Sequence, residues 1–258
     1  MPLISVITPV HAGSAPFVRD AYGSLAEQRL PRGWRLEWLV QTDGPVNVDL
    51  PPVPWISAGS GRLGGAAQAR TLALTRASGV LLRQLDADDM LPDPQALARD
   101  IRVLSENPEF AWVVSPCLDL LPDGATAAGP YDPEPGRLAP RTLLDGLLAD
   151  RFPVMGTTVT LYTELARALG AWPALPFAQD TALSINAEAV SAGWMQALPG
   201  ELYRHHPGQA TRQRTTAERS ACIKALADQA EALHRTGWRY TPSASASVGA
   251  AVLSSDAA

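Results

Sequence analysis

The ten residues Val80-Leu81-Leu82-Arg83-Gln84-Leu85-Asp86-Ala87-Asp88-Asp89 join a mostly apolar run to three carboxylates in four positions. Val80 to Leu85 has the length and character of a strand inside a layered sheet. The same grammar repeats upstream. Leu3 to Thr8 is an apolar run ending at Pro9, and Phe17 to Gln28 has helical spacing. Leu36 to Gln41 reads as a second strand, closed by the turn signal Asp43-Gly44-Pro45. After a Pro-rich connection come a short third strand, Val53 to Ser57, and an Ala-rich helix, Gly64 to Ala77. Asp93 to Glu106 supplies a further helix beyond the acidic turn. Strands alternating with helices of this length predict parallel β-α-β units. The expected fold is therefore α/β and Rossmann-like, with a mostly parallel central sheet and helices on both faces. In such sheets ligands bind outside the carboxyl ends of the strands. Acidic residues stand at two of those ends, at Asp43 and at Asp86.

The second half is less regular. Ala111 to Pro116 predicts a strand, Leu121 to Pro140 a loop, and Thr157 to Tyr162 another strand. Asp180 to Ala192 is helical, Met195 to Tyr203 reads as paired short strands, and Ala217 to Arg235 as a long Ala-rich helix. Small and polar residues dominate from Thr241 onward, so 241–258 is expected to be a mobile tail. No repeat or second-domain boundary is visible. Residues 1–240 are read as one domain, with a ligand-binding half over 1–116 and a catalytic half over 117–240.

Composition narrows the function. With 258 residues, 46% of them hydrophobic and 18% charged, the chain can bury a substantial core and is not disordered. A net charge of −5 gives no electrostatic reason to expect nucleic acid or an anionic membrane. No run approaches the roughly 20 apolar residues of a spanning helix, and Met1 to Pro9 lacks the features of a signal peptide. Cys117 and Cys222 are too few for a disulfide framework or a zinc site. A cytoplasmic enzyme is the expectation. Lys224 is the sole lysine, and no lysine adjoins a Gly-rich turn, which excludes P-loop phosphate chemistry.

Three adjacent carboxylates repel one another unless a cation or strong donors sit among them. Hard oxygen ligands at a strand end suit Mg²⁺ or Mn²⁺, which takes one or two carboxylates plus substrate phosphates. The same residues could instead form a solvated turn with one Asp capping the next helix.

Ala69-Arg70-Thr71-Leu72-Ala73-Leu74, Ser78-Gly79-Val80 and Leu85-Asp86-Ala87-Asp88-Asp89 together resemble the central signature of family-2-type glycosyltransferases, whose fold is the GT-A fold. Ile4 to Val10 and Glu37 to Gly44 resemble its opening, and Phe177-Ala178-Gln179-Asp180 and Tyr203 to Gly208 its later landmarks, in order over Leu3 to Arg214. The resemblance implies a metal-dependent, inverting transferase that uses a nucleotide-diphospho-sugar donor, UDP- or dTDP-linked, with Mn²⁺ or Mg²⁺. The acceptor is expected to be a soluble small molecule, peptide or glycan.

By resemblance, Thr8, Pro9 and Asp43 would line the base pocket, with Asp43 accepting from a pyrimidine ring N–H. Arg70 would approach the base or diphosphate, Asp86 the ribose, and Asp88 the metal. Asp180 would be the general base, and His206 would help hold the metal or diphosphate. Residues Pro207 to Thr216 are read as a lid, with Arg212 and Arg214 closing on the diphosphate. The chain departs from the pattern at Thr42, Thr71 and Gln179, where the family often has an acid, Asn and Glu.

Two other readings compete. Gly59-Ser60-Gly61-Arg62-Leu63-Gly64 spells the G-x-G-x-x-G of a dinucleotide-binding oxidoreductase using NAD(P), with Asp86 at a fitting distance. Its preceding strand is short and Pro-flanked, and one β-α-β unit comes before it. The second alternative is a GT-A-fold protein that binds nucleotide sugars without catalysis.

Overall fold

A computed structural model of the chain describes residues 1–129, 131–209 and 216–242. Its first half runs β1 (Leu3–Val10), α1 (Val18–Ala26), β2 (Arg35–Thr42), β3 (Ile56–Gly59), α2 (Ala66–Leu74), β4 (Leu81–Gln84), α3 (Ala96–Glu106) and β5 (Phe110–Val114). The second half adds β6 (Cys117–Leu120), β7 (Thr126–Ala128), β8 (Gly136–Arg137), α4 (Thr142–Leu148), β9 (Thr160–Tyr162) and α5 (Thr163–Ala168). It ends with α6 (Gln179–Val190), β10 (Ala192–Met195), β11 (Glu201–Arg204) and α7 (Thr216–Arg235).

Eight strands form one sheet in the order β3-β2-β1-β4-β9-β5-β10-β8, and β11-β6-β7 form a second. The large sheet is mostly parallel. Antiparallel pairs occur where β9 enters between β4 and β5, and where β8 closes the edge beside β10. β1 lies inside the sheet with Ile4, Val6, Ile7 and Val10 fully buried, which is why its sequence reads as a continuous apolar run. Beside it Trp38 of β2 stacks with Tyr22 of α1 and approaches Trp55.

The chain moves outward from β1 to β2 and β3, then returns through α2 to place β4 on the other side of β1. That reversal is a topological switch point, so a crevice opens beyond the carboxyl ends of β1 and β4. The turn leading into β4 is held by Glu37, whose Oε1 accepts from Ser78 N (2.6 Å) and Gly79 N (3.1 Å). A Cβ on Gly79 would lie 2.6 Å from Ser5 N and 2.8 Å from Leu3 O. Only glycine permits this approach.

Several boundaries differ from the sequence reading, each for a local reason. The third strand begins at Ile56 rather than Val53, because Pro51, Pro52 and Pro54 cannot donate to a ladder. The helix expected from Gly64 begins at Ala66, after Gly65 at φ +89°. Met195 to Tyr203 is not a strand pair: β10 joins β5 in the large sheet, whereas β11 joins β6 in the small one. Leu121 to Pro140, expected as loop, contributes β7 and β8. Residues 156–158 form a 3-10 turn, so β9 starts only at Thr160. Helices α4 and α5 were not evident from periodicity. Among the described residues no helix is long and apolar enough to cross a membrane. The proposed lid arginines, Arg212 and Arg214, lie outside the described residues, as does the tail from residue 243.

Candidate active site

A cavity of about 430 Å³ opens at the switch point. Its walls include Pro9 near the end of β1, His11 just after it, Asp43 after β2, Arg70 of α2, Asp86 and Asp88 after β4, and Asp180 of α6. Six of the ten residues singled out from sequence therefore line one cavity. His206 joins them through Asp88. Thr8 does not belong there. Its side chain is fully buried, and its hydroxyl accepts from Trp38 Nε1 at 2.8 Å; the alternation along β1 turns it away from the crevice that Pro9 and His11 face.

The acidic turn is held by two arginines, Arg70 and Arg204, and a third, Arg83, is buried in the strand that leads into it. Arg70, 1% exposed, donates from Nη2 to Asp86 Oδ1 at 2.5 Å, while its Nε and Nη1 have no partner among the described residues. Arg204 donates its backbone N–H to Asp89 Oδ1 (2.9 Å) and its Nε to the Asp88 carbonyl (2.9 Å). Beneath the turn, Arg83 lies 3.3 Å from both Asp100 Oδ2 and Glu201 Oε2, and it donates to the carbonyls of Gly200 (2.9 Å) and Thr158. Burial pushes the Asp86 carboxyl up, against the pull of Arg70. Burial, then Glu201, pushes Asp89 well above the usual carboxylate range. Glu201 is raised as well, by burial opposed by Arg83.

Asp88 Oδ2 and His206 Nε2 stand 2.8 Å apart. The two are directly hydrogen-bonded, and a carboxylate beside an imidazole is a donor set that would suit a divalent cation if the pair opened to share it. Among the described residues no three His, Cys, Asp or Glu side chains form a metal-binding group. A cation here would take further oxygens from a ligand, the usual habit of Mg²⁺ beside phosphates. The two histidines after β11 diverge: His205 Nε2 lies 3.0 Å from Asp119 Oδ1, and only His206 faces Asp88.

Asp43 is already engaged. Its Oδ1 accepts from Gly64 N (2.7 Å) and Gly65 N (3.0 Å), and its Oδ2 from Gly65 N (3.1 Å). One lone pair on Oδ2 is left to meet a ligand. The same bonds bear on the G-x-G-x-x-G string. The amides that a dinucleotide pyrophosphate would need at its end are bound to a carboxylate, and the string follows β3, an edge strand, instead of opening the central crevice.

Asp180 sits in the first turn of α6, partly buried, with Oδ1 accepting from Thr181 N at 2.7 Å. It therefore satisfies one amide of the first turn, whose N-cap is Ala178, while still facing the cavity. Sequence reasoning missed His11, Arg83, Gln84, Arg204 and Glu201. Arg83 carried a signal: an arginine in the middle of an apolar strand cannot be buried without acidic partners. His11 carried none.

No family model matches the sequence, and no curated protein matches it. Solved structures of similar fold include S. aureus TarS 1-349 in complex with UDP, with a TM-score of 0.65 and 16% identity over 89% of this chain and 65% of that one. The same protein with UDP-GlcNAc gives 0.65 and 15% identity, over 91% and 70% of the two chains. The Pyrobaculum calidifontis mannosyltransferase PcManGT, in complex with GDP-Man and Mn²⁺, gives 0.52 and 18% identity, over 91% and 74%. This chain thus spans 65% of the first TarS structure, and the likeness is one of fold. With its acidic turn at the switch point of a mostly parallel eight-stranded sheet, the chain has the GT-A fold of nucleotide-sugar glycosyltransferases.

Proposed function

We propose that this chain is a glycosyltransferase that moves a sugar from a nucleotide-diphosphate donor to a hydroxyl-bearing acceptor, with inversion. The observation that carries the reading is the pairing of Asp88 with His206 in the same cavity as Asp180. Asp88, hydrogen-bonded to the His206 imidazole behind it, supplies with that ring a donor set suited to a divalent cation, and Asp180, a carboxylate suited to proton transfer, shares the cavity with Asp88. The neighbours solved with UDP, UDP-GlcNAc, and GDP-Man with Mn²⁺ support a donor of this class.

In this reading Asp88 and His206 hold Mn²⁺ or Mg²⁺, and Asp86 contacts the ribose through the oxygen that Arg70 leaves free. When bound, the cation supplies Lewis-acid stabilisation of charge on the departing diphosphate. The Nε and Nη1 of Arg70, buried without partners, offer charge-assisted hydrogen bonds to an anionic ligand. Pro9 and Asp43 border the base. Asp180 takes the proton of the acceptor hydroxyl as the new C–O bond forms. No side chain intervenes as nucleophile, so configuration inverts. Residues 1–116 would serve the donor and 117–240 the acceptor, which we place among soluble small molecules, peptides or glycans. The donor is UDP- or dTDP-linked and the enzyme cytoplasmic on this reading.

Calorimetry with UDP, with and without Mn²⁺, on wild type and Asp88→Asn tests the donor side. The cation should tighten UDP binding in wild type by at least tenfold and fail to do so in the variant. Equal cation dependence in both chains refutes the assignment.

A further inference from the structure

Gly156 is buried in the 3-10 turn Gly156–Thr158, which packs against α6. Its backbone is not left-handed, so conformational freedom does not explain the glycine. Space does. A Cβ there would lie 2.6 Å from Thr181 N, 2.8 Å from Asp180 C and 3.0 Å from Asp180 Cγ. All three atoms belong to the helical turn that carries Asp180, and none is the far end of a flexible side chain. The turn and the first residues of α6 are therefore in contact through an absent methyl group.

The opposite side of Gly156 is tied to β4. Its carbonyl accepts from Gln84 Nε2 at 3.0 Å. Gln84 is fully buried, and its Oε1 accepts from Trp172 Nε1 at 2.6 Å, which fixes the amide so that its NH₂ must face Gly156. Gln84 stands two residues before Asp86 on the strand that ends in the acidic turn. The neighbouring residues are anchored too: Thr157 Oγ1 bonds Glu201 Oε1, and the Thr158 carbonyl accepts from Arg83. One continuous path thus runs Trp172–Gln84–Gly156–Asp180.

We propose that Gln84 and Gly156 are positioning residues, forming a rigid spacer that sets the distance between the acidic turn after β4 and the Asp180 carboxylate. This rests on the glycosyl-transfer reading only for its effect on turnover. The geometric part stands alone. Gly156 borders the cavity beside Asp180, but the atoms nearest an added Cβ belong to the first turn of α6, so it acts through that turn, and Gln84, which does not line the cavity, acts through Gly156. Adding one methyl at Gly156 must push the first turn of α6 away from β4, because every atom it meets is backbone or the carboxylate carbon itself.

The test compares wild type, Gly156→Ala, Gln84→Met and Asp180→Asn. Crystal structures of wild type and Gly156→Ala, superposed on β4, should show Asp180 Cγ displaced in the variant by about 0.5 Å or more, the tolerance within which such groups work. Calorimetric affinity for UDP with Mn²⁺ should stay within about twofold of wild type. Turnover of the UDP-sugar that wild type uses fastest, read as UDP release, should fall about 10- to 100-fold in kcat with donor KM nearly unchanged. Gln84→Met keeps the bulk but frees the Gly156 carbonyl, and should give a smaller loss with the same split. It also decides the matter if Gly156→Ala does not fold. An Asp180 carboxylate that stays in place in Gly156→Ala, or wild-type kcat in a folded Gln84→Met chain, overturns the proposal. Full turnover in Asp180→Asn would instead remove the base assignment, and the crystallographic displacement would still decide whether Gly156 places that carboxylate.

Discussion

Replacing Arg83 with methionine should be among the most damaging single changes outside the cavity. The guanidinium is 1% exposed in side-chain area, and the carboxylates 3.3 Å from it, Asp100 and Glu201, are 4% and 0% exposed. It also serves the carbonyls of Gly200 and Thr158. Methionine fills much of the volume but supplies no charge and no donor. Removing one partner of a buried ion pair costs about 3–5 kcal/mol, which for a chain of this size lowers Tm by roughly 10 °C. The sign of the pH dependence follows from the two carboxyls left behind. Burial already raises Asp100 and Glu201, and without Arg83 both rise further above their unfolded values. The native state then binds more protons than the unfolded chain, so stability falls as pH climbs through the interval between those values. Urea unfolding at pH 5 and pH 8 measures this. The Arg83→Met deficit should be greatest at pH 8 and shrink at pH 5. A variant within about 1 kcal/mol of wild type at pH 8 would show that the triad does not carry the charge balance assigned to it.

Asp180→Asn should leave UDP affinity intact while lowering transfer by about 10²- to 10⁴-fold, the usual worth of a positioned base; a fall in donor affinity instead would reduce Asp180 to a helix cap. Thr8→Val should cost about 1–3 kcal/mol, because Trp38 Nε1 loses its buried acceptor, yet leave UDP binding unchanged, as calorimetry would report. Millimolar NAD(P) should give no melting shift, given that Gly64 and Gly65 already bind Asp43; a shift abolished by a bulky residue at Gly61 would reverse that conclusion. Glu188 is held near 7 instead of its ordinary 4.5, by burial partly offset by the Leu143 and Leu144 amides. Its proton uptake on folding makes stability decline between about pH 4.5 and 7, by at most about 3 kcal/mol, and Glu188→Gln should flatten that decline in urea titrations.

The alternation of strands and helices was legible in the first half because each element there is long enough to show its period, and because β1, β2 and β4 are buried on both faces. The second half hid its elements for a physical reason. β7, β8 and β9 have three, two and three residues, too short for any periodicity, and α4 and α5 span about two turns. Pairing partners were equally hidden: β10 and β11 are near in sequence, but the sheets they enter are chosen by distant β5 and β6. Asp86, Asp88, Arg70 and Asp180, which line one cavity, were singled out by resemblance. Thr8 was placed wrongly because strand alternation depends on a register the sequence does not reveal. Arg83, Gln84 and Glu201 work through partners 17 to 118 positions away, and such pairings leave no local pattern.

The charge pattern also explains how so acidic a turn can exist before any ligand arrives. Asp86 is met by Arg70, and Glu201 and Asp100 by Arg83, while Asp89 accepts from the backbone of Arg204. Arg83 and Arg204 are each fixed by several contacts, which suits a planar fork of five donors better than a flexible ammonium, whereas Arg70 gives one bond to Asp86. What this arrangement omits is informative. Asp88 meets an imidazole, and Asp180 has no guanidinium within ion-pair distance among the described residues. The protein neutralises the carboxylates that build the turn from within. Asp88 and Asp180 line the cavity without such an arginine, and on the proposed reading they are completed from outside, Asp88 by a cation and Asp180 by an acceptor's proton. On this logic, a guanidinium introduced beside Asp180 should abolish transfer while leaving cation-dependent UDP binding at Asp88 untouched. Ala178→Arg, at the cavity wall two residues before Asp180, supplies such a group. Calorimetry alongside a turnover assay checks this. Loss of UDP binding in step with turnover would show that the two carboxylates form a single charge system and not two separately completed ones.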